Sequence, residues 1–292
     1  MVRTFKTILK NVVDLVRPEL LSCLKRSFSN MRTTGRKLIL FLVLAFPLSW
    51  YPWIIALLKG KTSGPNPLGP LVAAIIVTAI TEGRGGLKEF FARIVRWRVG
   101  VQWYLLVFLL PVAISTLALL LNLTAGAQLN LADQSLFSVN QIVSSFIFIF
   151  LFIGLGEEPG WRGFALEKLQ KLYSPLRSTL ILSIIWAVWH LPLMGSEFIP
   201  VVIPAFLISL FGGCMLQTLI YNRTNGSVLL MMLFHTTVNT IASGIVFRLF
   251  QGEDFIRIWY LYAAAWLTVG LVVANVLRKE YSRAALAPTR NF

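Results

Sequence analysis

A chain of 292 residues that is 57% hydrophobic, only 13% charged and has a mean hydropathy of +0.73 cannot fold as an ordinary soluble domain. Several apolar runs reach or approach the roughly 20 residues that span a bilayer, so the expected class is an all-α, polytopic membrane protein with about eight spans. The net charge of +15 would suit a nucleic-acid binder, but the distribution of that charge excludes one.

Residues 1–37 form a basic arm. It lacks the apolar run of a cleavable signal peptide. Its spacing of Phe5, Ile8, Leu9, Val12, Val13, Leu15 and Val16 among basic residues fits an interfacial cytoplasmic helix, with an organellar transit peptide as the alternative. A transmembrane bundle is expected over 38–280 and a cytoplasmic tail over 281–292. The spans are predicted near 38–58, 70–82, 103–123, 139–156, 178–194, 199–221, 227–248 and 257–277. With both termini cytoplasmic, only Lys59, Lys61, Arg248 and Arg257 of the 27 Lys and Arg lie outside, which leaves 23 within. That satisfies the positive-inside rule on every loop but the first. The charge then sets orientation and attraction to anionic lipid, so the expected partner is the bilayer and no nucleic acid.

In the first span Pro47 and Pro52 predict kinks, and Trp50, Tyr51 and Trp53 an outer aromatic belt. Lys59 to Gly69 reads as a turn. Pro70 to Thr81 is a short span of about 18 Å that borrows from its flanks or is re-entrant. Gly86 to Trp97 reads as an amphipathic helix on the inner leaflet, or else as a solvated basic loop. The third span contains Pro111, and the outer loop Asn122 to Ser138 has Asp133 but no Lys or Arg. The fourth span runs into Glu157-Glu158, and a cytoplasmic amphipathic helix, Phe164 to Tyr173, is expected after it. Ser174-Pro175 reads as an N-cap followed by proline at the first helical position of the fifth span. Cys23 and Cys214 make neither a disulfide framework nor a CxxC metal motif.

The polar residues within these apolar runs are the candidate site. Carboxylates at the edge of hydrocarbon are costly to keep there. Glu158 and Arg162, four apart with the acid first, are spaced as a pair along a helix, which leaves Glu157 free. Pro159 either interrupts the fourth span or begins a new helix with the carboxylates at its N-terminus. His190 has Trp186 one turn back on the same face, and His235 has Asn239 one turn on. Taken singly, each has a plain structural reading: capping acids, a packed imidazole, an interhelical hydrogen bond. Taken together, Glu157, His190, His235 and Asn239 suit acyl transfer to water: a carboxylate base, an imidazole holding the water, and two oxyanion donors.

Glu157-Glu158-x-x-x-Arg162, an aromatic residue (Trp186) four before His190, and His235-x-x-x-Asn239 resemble the three ordered motifs of the CPBP family. These are the CAAX-protease and bacteriocin-processing intramembrane endopeptidases, also called Abi. The resemblance covers 139–246, the expected catalytic core. It implies endoproteolysis of membrane-bound or lipidated, CAAX-like peptides without a covalent acyl-enzyme, in a multi-pass protein of a bacterial plasma membrane. By this resemblance Glu157 is the general base, His190 its partner on water, His235 and Asn239 the oxyanion donors, and Glu158 and Arg162 the supporting pair. Trp186 stands where the family commonly has Phe, a bulkier wall that reshapes the pocket.

Two histidines and a glutamate could also hold catalytic zinc. No HExxH is present, and the acids offer no evident carboxylate to orient His235, so the expected cofactor is none and the zinc-dependent version is the alternative. A non-enzymatic membrane scaffold or bacteriocin-immunity protein is a second alternative, and an ion-coupled transporter a third, disfavoured by the absence of an internal repeat. The cavity is expected to open towards the cytoplasm. With the fourth span ending at Gly156, Glu157 falls at the inner boundary while His235 and His190 fall roughly 12 and 18 Å deep. Their convergence then needs helix tilt or a fifth span that starts well outside the hydrocarbon.

Overall fold

The computed structural model describes residues 18–286. The interfacial helix expected from Phe5 to Val16 and the end of the tail lie outside the described residues. Eight helices follow in order: α1 Pro18–Leu58, α2 Gly69–Ile94, α3 Val101–Thr124, α4 Val139–Gln170, α5 Pro175–Trp189, α6 Ile203–Arg223, α7 Val228–Leu249 and α8 Gly252–Leu286. There is no strand among the described residues, and the fold is all-α and polytopic. Seven of the eight are long and apolar enough to cross a membrane. The exception is α5, whose 15 residues make roughly 22 Å of helix, short of the hydrocarbon thickness. The eight helices agree with the about eight spans expected, seven of them long enough to cross a membrane and one short.

Contacts between neighbouring helices define the two ends of the bundle. At one end Lys37 and Lys168 both reach Glu82, at 3.1 and 2.6 Å. There too Ser227 Oγ donates to the Arg96 carbonyl at 2.7 Å, and Arg223 pairs with Glu280. At the other end Arg257 donates to Asn122 Oδ1 and Arg248 to Asp133, each at 2.7 Å. Both described chain ends lie at the first, basic end.

Three elements depart from expectation. The short second span and the amphipathic stretch after it are one helix, α2, broken only at Gly83, whose φ of 64° is open to glycine. The fourth span does not stop at Gly156: α4 runs unbroken to Gln170. The expected cytoplasmic helix is its last part, and Phe164, Leu166 and Leu169 there are buried rather than at a surface. Pro159 sits inside α4 because the helix widens around it, with π segments at Ile149–Gly154 and Pro159–Leu166 on either side of Leu155–Glu158. A π turn tolerates the missing N–H and the crowded carbonyl that proline imposes. As expected, Ser174 caps α5, accepting from the Arg177 N–H at 3.4 Å, with Pro175 at the first helical position. Trp50, one of the expected belt residues, donates its indole N–H to the Trp189 carbonyl at the end of α5 at 3.1 Å.

What presses Glu157 into the interior is backbone contact between α4 and the start of α2. A Cβ at Gly156 would lie 2.5 Å from the Pro67 carbonyl oxygen, and one at Gly160 would lie 2.5 Å from Pro70 Cβ. Below them Phe41 packs on Trp161 and Phe164, with ring centroids 5.5 and 5.0 Å apart. Replacing Gly160 with Leu forces this contact apart and should cost about 1–3 kcal/mol. Gly85→Ala, with nothing within 4 Å of the new Cβ, should be close to neutral. Thermal unfolding of the two detergent-solubilised variants compares them directly.

Candidate active site

Glu157 and Glu158 occupy the one α-helical turn between the two π segments of α4, and both are buried. Their neighbours differ. Glu158 Oε1 accepts from Arg162 Nη1 at 2.9 Å, from Gln217 Nε2 at 3.3 Å and from His235 Nδ1 at 2.8 Å. Arg162, 1% exposed, also donates to Gln217 Oε1 and to Cys214 Sγ on α6. The pairing expected from the four-residue spacing is present, and it leaves Glu157 apart from it. Arg162 is therefore not one of the cytoplasmic charges among which the sequence pattern counted it.

Glu157 Oε2 accepts instead from the indole N–H of Trp186 at 3.0 Å. Trp186 is the hub of the cluster: the Arg162 guanidinium lies 4.2 Å over its ring. The imidazoles of His190 and His235 meet it edge-on at 5.1 and 5.5 Å. The expected wall beside His190 is present, and it adds a donor that phenylalanine would lack. His190 sits just past the end of α5 rather than within a helix, and its Nδ1 donates to the Trp186 carbonyl at 2.7 Å. A carbonyl only accepts, so the proton is on Nδ1, and in the neutral ring Nε2 keeps its lone pair. In His235 the carboxylate of Glu158 fixes Nδ1–H in the same way, so Nε2 donates only in the imidazolium form. Asn239 opens the π segment Asn239–Ser243 that ends the α-helical part of α7.

Glu157, Trp186, His190, His235 and Asn239 all line one cavity of about 680 Å³, and Glu158 and Arg162 are not on its wall. Its walls are largely apolar, with Phe148, Phe152, Phe198, Phe206, Trp259 and Trp266 among them. Convergence requires no unusual tilt: because α4 continues to Gln170, Glu157 lies roughly 20 Å along the helix from that end. The cavity, expected to open towards the cytoplasm, extends towards the end opposite the basic loops. Its outer part is lined by Gly64, Pro65, Leu136, Glu197 and Arg248, all at the end opposite the basic loops. Burial at this mouth pushes the Glu197 carboxyl above the usual carboxylate range.

His235 does have a carboxylate neighbour, Glu158, against the expectation that none was available. Such a neighbour could orient a metal-bound imidazole, but the same oxygen is shared with Arg162. Among the described residues no group of three or more His, Cys, Asp or Glu side chains is arranged to hold a metal ion. Gln217 and Cys214 were not foreseen as part of the cluster. A glutamine within an apolar span was the available signal for the first; nothing in sequence distinguished the second.

A buried pair that loses one member leaves an uncompensated charge, at a cost of about 3–5 kcal/mol. Arg162→Ala should therefore lower thermal stability sharply. Glu157→Gln, whose amide oxygen still accepts from Trp186, should leave it near that of the unmodified protein; melting curves in one detergent test both.

Residues 139–241 match the family model described as type II CAAX prenyl endopeptidase Rce1-like. A CAAX prenyl protease 2 of Methanococcus maripaludis is 29% identical over 132 residues, which make up 44% of this chain and 49% of that protein. The chain thus spans about half the length of the curated relative it matches. The matched segment holds Glu157, Trp186, His190, His235 and Asn239 together, and over it the chain is similar to the CAAX prenyl endopeptidases.

Proposed function

We propose that the protein is an intramembrane endopeptidase that hydrolyses membrane-bound or lipidated, CAAX-like peptides with a water activated by Glu157. The observation that carries this reading is a buried carboxylate, held by one indole N–H and free of the neighbouring arginine, on the same cavity wall as two imidazoles. The matched family and the relative named as a prenyl protease support the same class of reaction.

In this mechanism Glu157 takes a proton from water while the lone pair on His190 Nε2 accepts the water's second hydrogen. The water oxygen adds to the peptide carbonyl carbon, and charge passes to the carbonyl oxygen. The Asn239 amide, and His235 Nε2 in its charged form, donate to that oxygen. Glu157 then returns its proton to the amide nitrogen, the C–N bond breaks, and carboxylate and amine products leave. Glu158 and Arg162 act as positioning residues, since they hold His235 and the underside of Trp186 rather than touch substrate. No metal is required in this scheme, and the apolar cavity offers a home to a lipid anchor or an apolar side chain.

Glu157→Ala should abolish cleavage of a prenylated quenched peptide in proteoliposomes, with a loss of at least the 10²–10⁴-fold typical of general acid–base groups. Full activity in that variant removes the proposal. Trp186→Phe keeps the wall but loses the donor, a bond to a charged group worth about 1.5–3 kcal/mol. A reduction in kcat of about 10- to 100-fold is expected, without loss of folded protein. Zinc found in stoichiometric amount and lost together with activity would favour the metal-dependent alternative.

A further inference from the structure

We propose that a second cleft, at the basic end of the bundle, binds the phosphodiester of a phospholipid headgroup. It shares no residue with the candidate active site, and it stands whether or not the protein is a peptidase.

The cleft lies where the end of α2 meets the turn between α6 and α7. Arg93 and Arg96 of α2 and its C-terminal extension, Asn222 at the end of α6, and Asn225 and Gly226 in the turn enclose about 490 Å³, with exposed Glu89 also on the wall. These walls are fixed by bonds between the two elements. Arg96 Nη1 donates to the Asn225 carbonyl, and Ser227 Oγ donates to the Arg96 carbonyl at 2.7 Å.

The protein does not neutralise the two guanidinium groups. Arg96 forms no ion pair among the described residues. Arg93 stands 3.9 Å from Glu167, too far for a hydrogen bond, and that carboxylate already takes Lys168 at 3.0 Å and also Lys171. Arg93 Nε is buried and has no hydrogen-bond partner among the described residues. A buried donor left unmet is costly, and an anion in the cleft would meet it. The ends of α2 and α6 carry partial negative charge, which by itself would draw arginines to this place. It accounts neither for the unmet Nε nor for the open volume beside it. The 22-residue α7 starts next to Gly226, so the positive end of its dipole adds to the field of the arginines.

Surroundings and charge select the source of the phosphate. Phe91, Val95 and Trp97, on the same stretch as the arginines, are all exposed, an apolar and aromatic surface suited to the headgroup level of a bilayer. A free phosphate dianion would be repelled by Glu89. A diester carries a single negative charge, and its alcohol can offer a hydroxyl or an ammonium to that carboxylate. Guanidinium forks match phosphate oxygens. Asn222 Oδ1 already accepts from Gln170 at 3.0 Å, which leaves its NH₂ to donate as well. A headgroup held in this way would fasten the end of α2 to the turn that starts α7, the helix of His235.

The full chain, delipidated in a neutral detergent, is titrated with dioctanoyl phosphatidylglycerol, dioctanoylglycerol and inorganic phosphate, and bound ligand is read by native mass spectrometry. Phosphatidylglycerol should be retained at least ~10-fold more tightly than the diacylglycerol; equal retention overturns the phosphate assignment. Inorganic phosphate that displaces the lipid at equal concentration overturns the lipid source. Arg93→Gln with Arg96→Gln should weaken phosphatidylglycerol binding at least ~10-fold. Arg278→Gln with Lys279→Gln removes the same charge elsewhere at the basic end and should leave binding unchanged. Equal losses in the two double variants, or none in either, overturn the cleft as the site. A second measurement needs no variant: phosphatidylglycerol with a photoreactive headgroup should crosslink the unmodified protein within 89–97 or 221–226, and adducts confined to other segments overturn the proposal.

Discussion

One carboxylate oxygen organises this protein. Glu158 Oε1 lies among apolar helices and receives a guanidinium, an amide and an imidazole from three different elements. An unpaired carboxylate in that environment would be untenable, whereas one so surrounded fastens α4, α6 and α7 to a common point. The cluster extends through Arg162 to the face of Trp186 and so to α5. Of the residues that face the cavity, His235 and Trp186 are held from behind by Glu158 and Arg162, which do not themselves face it. The adjacent glutamates thus divide the work: Glu158 is held by charge, while Glu157 is left with a single neutral donor.

The helix that carries them is shaped to allow this. An uninterrupted α-helix with Pro159 at its middle would lose a hydrogen bond and clash with the preceding turn. In α4 the two π segments absorb the misfit, and they leave one regular turn between them for the glutamates. Gly156 and Gly160 bring that turn against the backbone at the start of α2, too close for any side chain. Close approach through glycine is how membrane helices pack when water supplies no drive between them. Here it also determines which residues are withdrawn from lipid.

The ends of the bundle follow a different logic. At the basic end salt bridges knit α1, α2 and α4 together through Glu82 and Lys168, and the packing beneath the site is dense. At the other end loops replace helices, the short α5 stops early, and the cavity occupies the space its missing turns would have filled. The end of α5 leaves His190 just past the helix, where its ring meets Trp186 and Trp189 of α5 and Phe206 of α6 and still lines the cavity.

The polar residues gathered at the candidate site were legible in the linear chain because membrane depth makes polar side chains conspicuous. Glu157, Glu158, Arg162, His190, His235 and Asn239 are polar interruptions of apolar runs, and four-residue spacing already paired Glu158 with Arg162. The helical class and the asymmetry of charge were equally plain, since both depend on local composition. Tertiary structure alone decided three things. The fourth span continues through Pro159, which a linear reading takes as a break because it cannot see the π turns that accommodate proline. Glu158 serves His235, 77 residues away in sequence, a contact that no local pattern encodes. And the cavity runs away from the basic loops, because its course depends on which helix ends are short and which glycines are pressed together. Spacing along one helix speaks for that helix; where several helices leave room between them is a property of their packing.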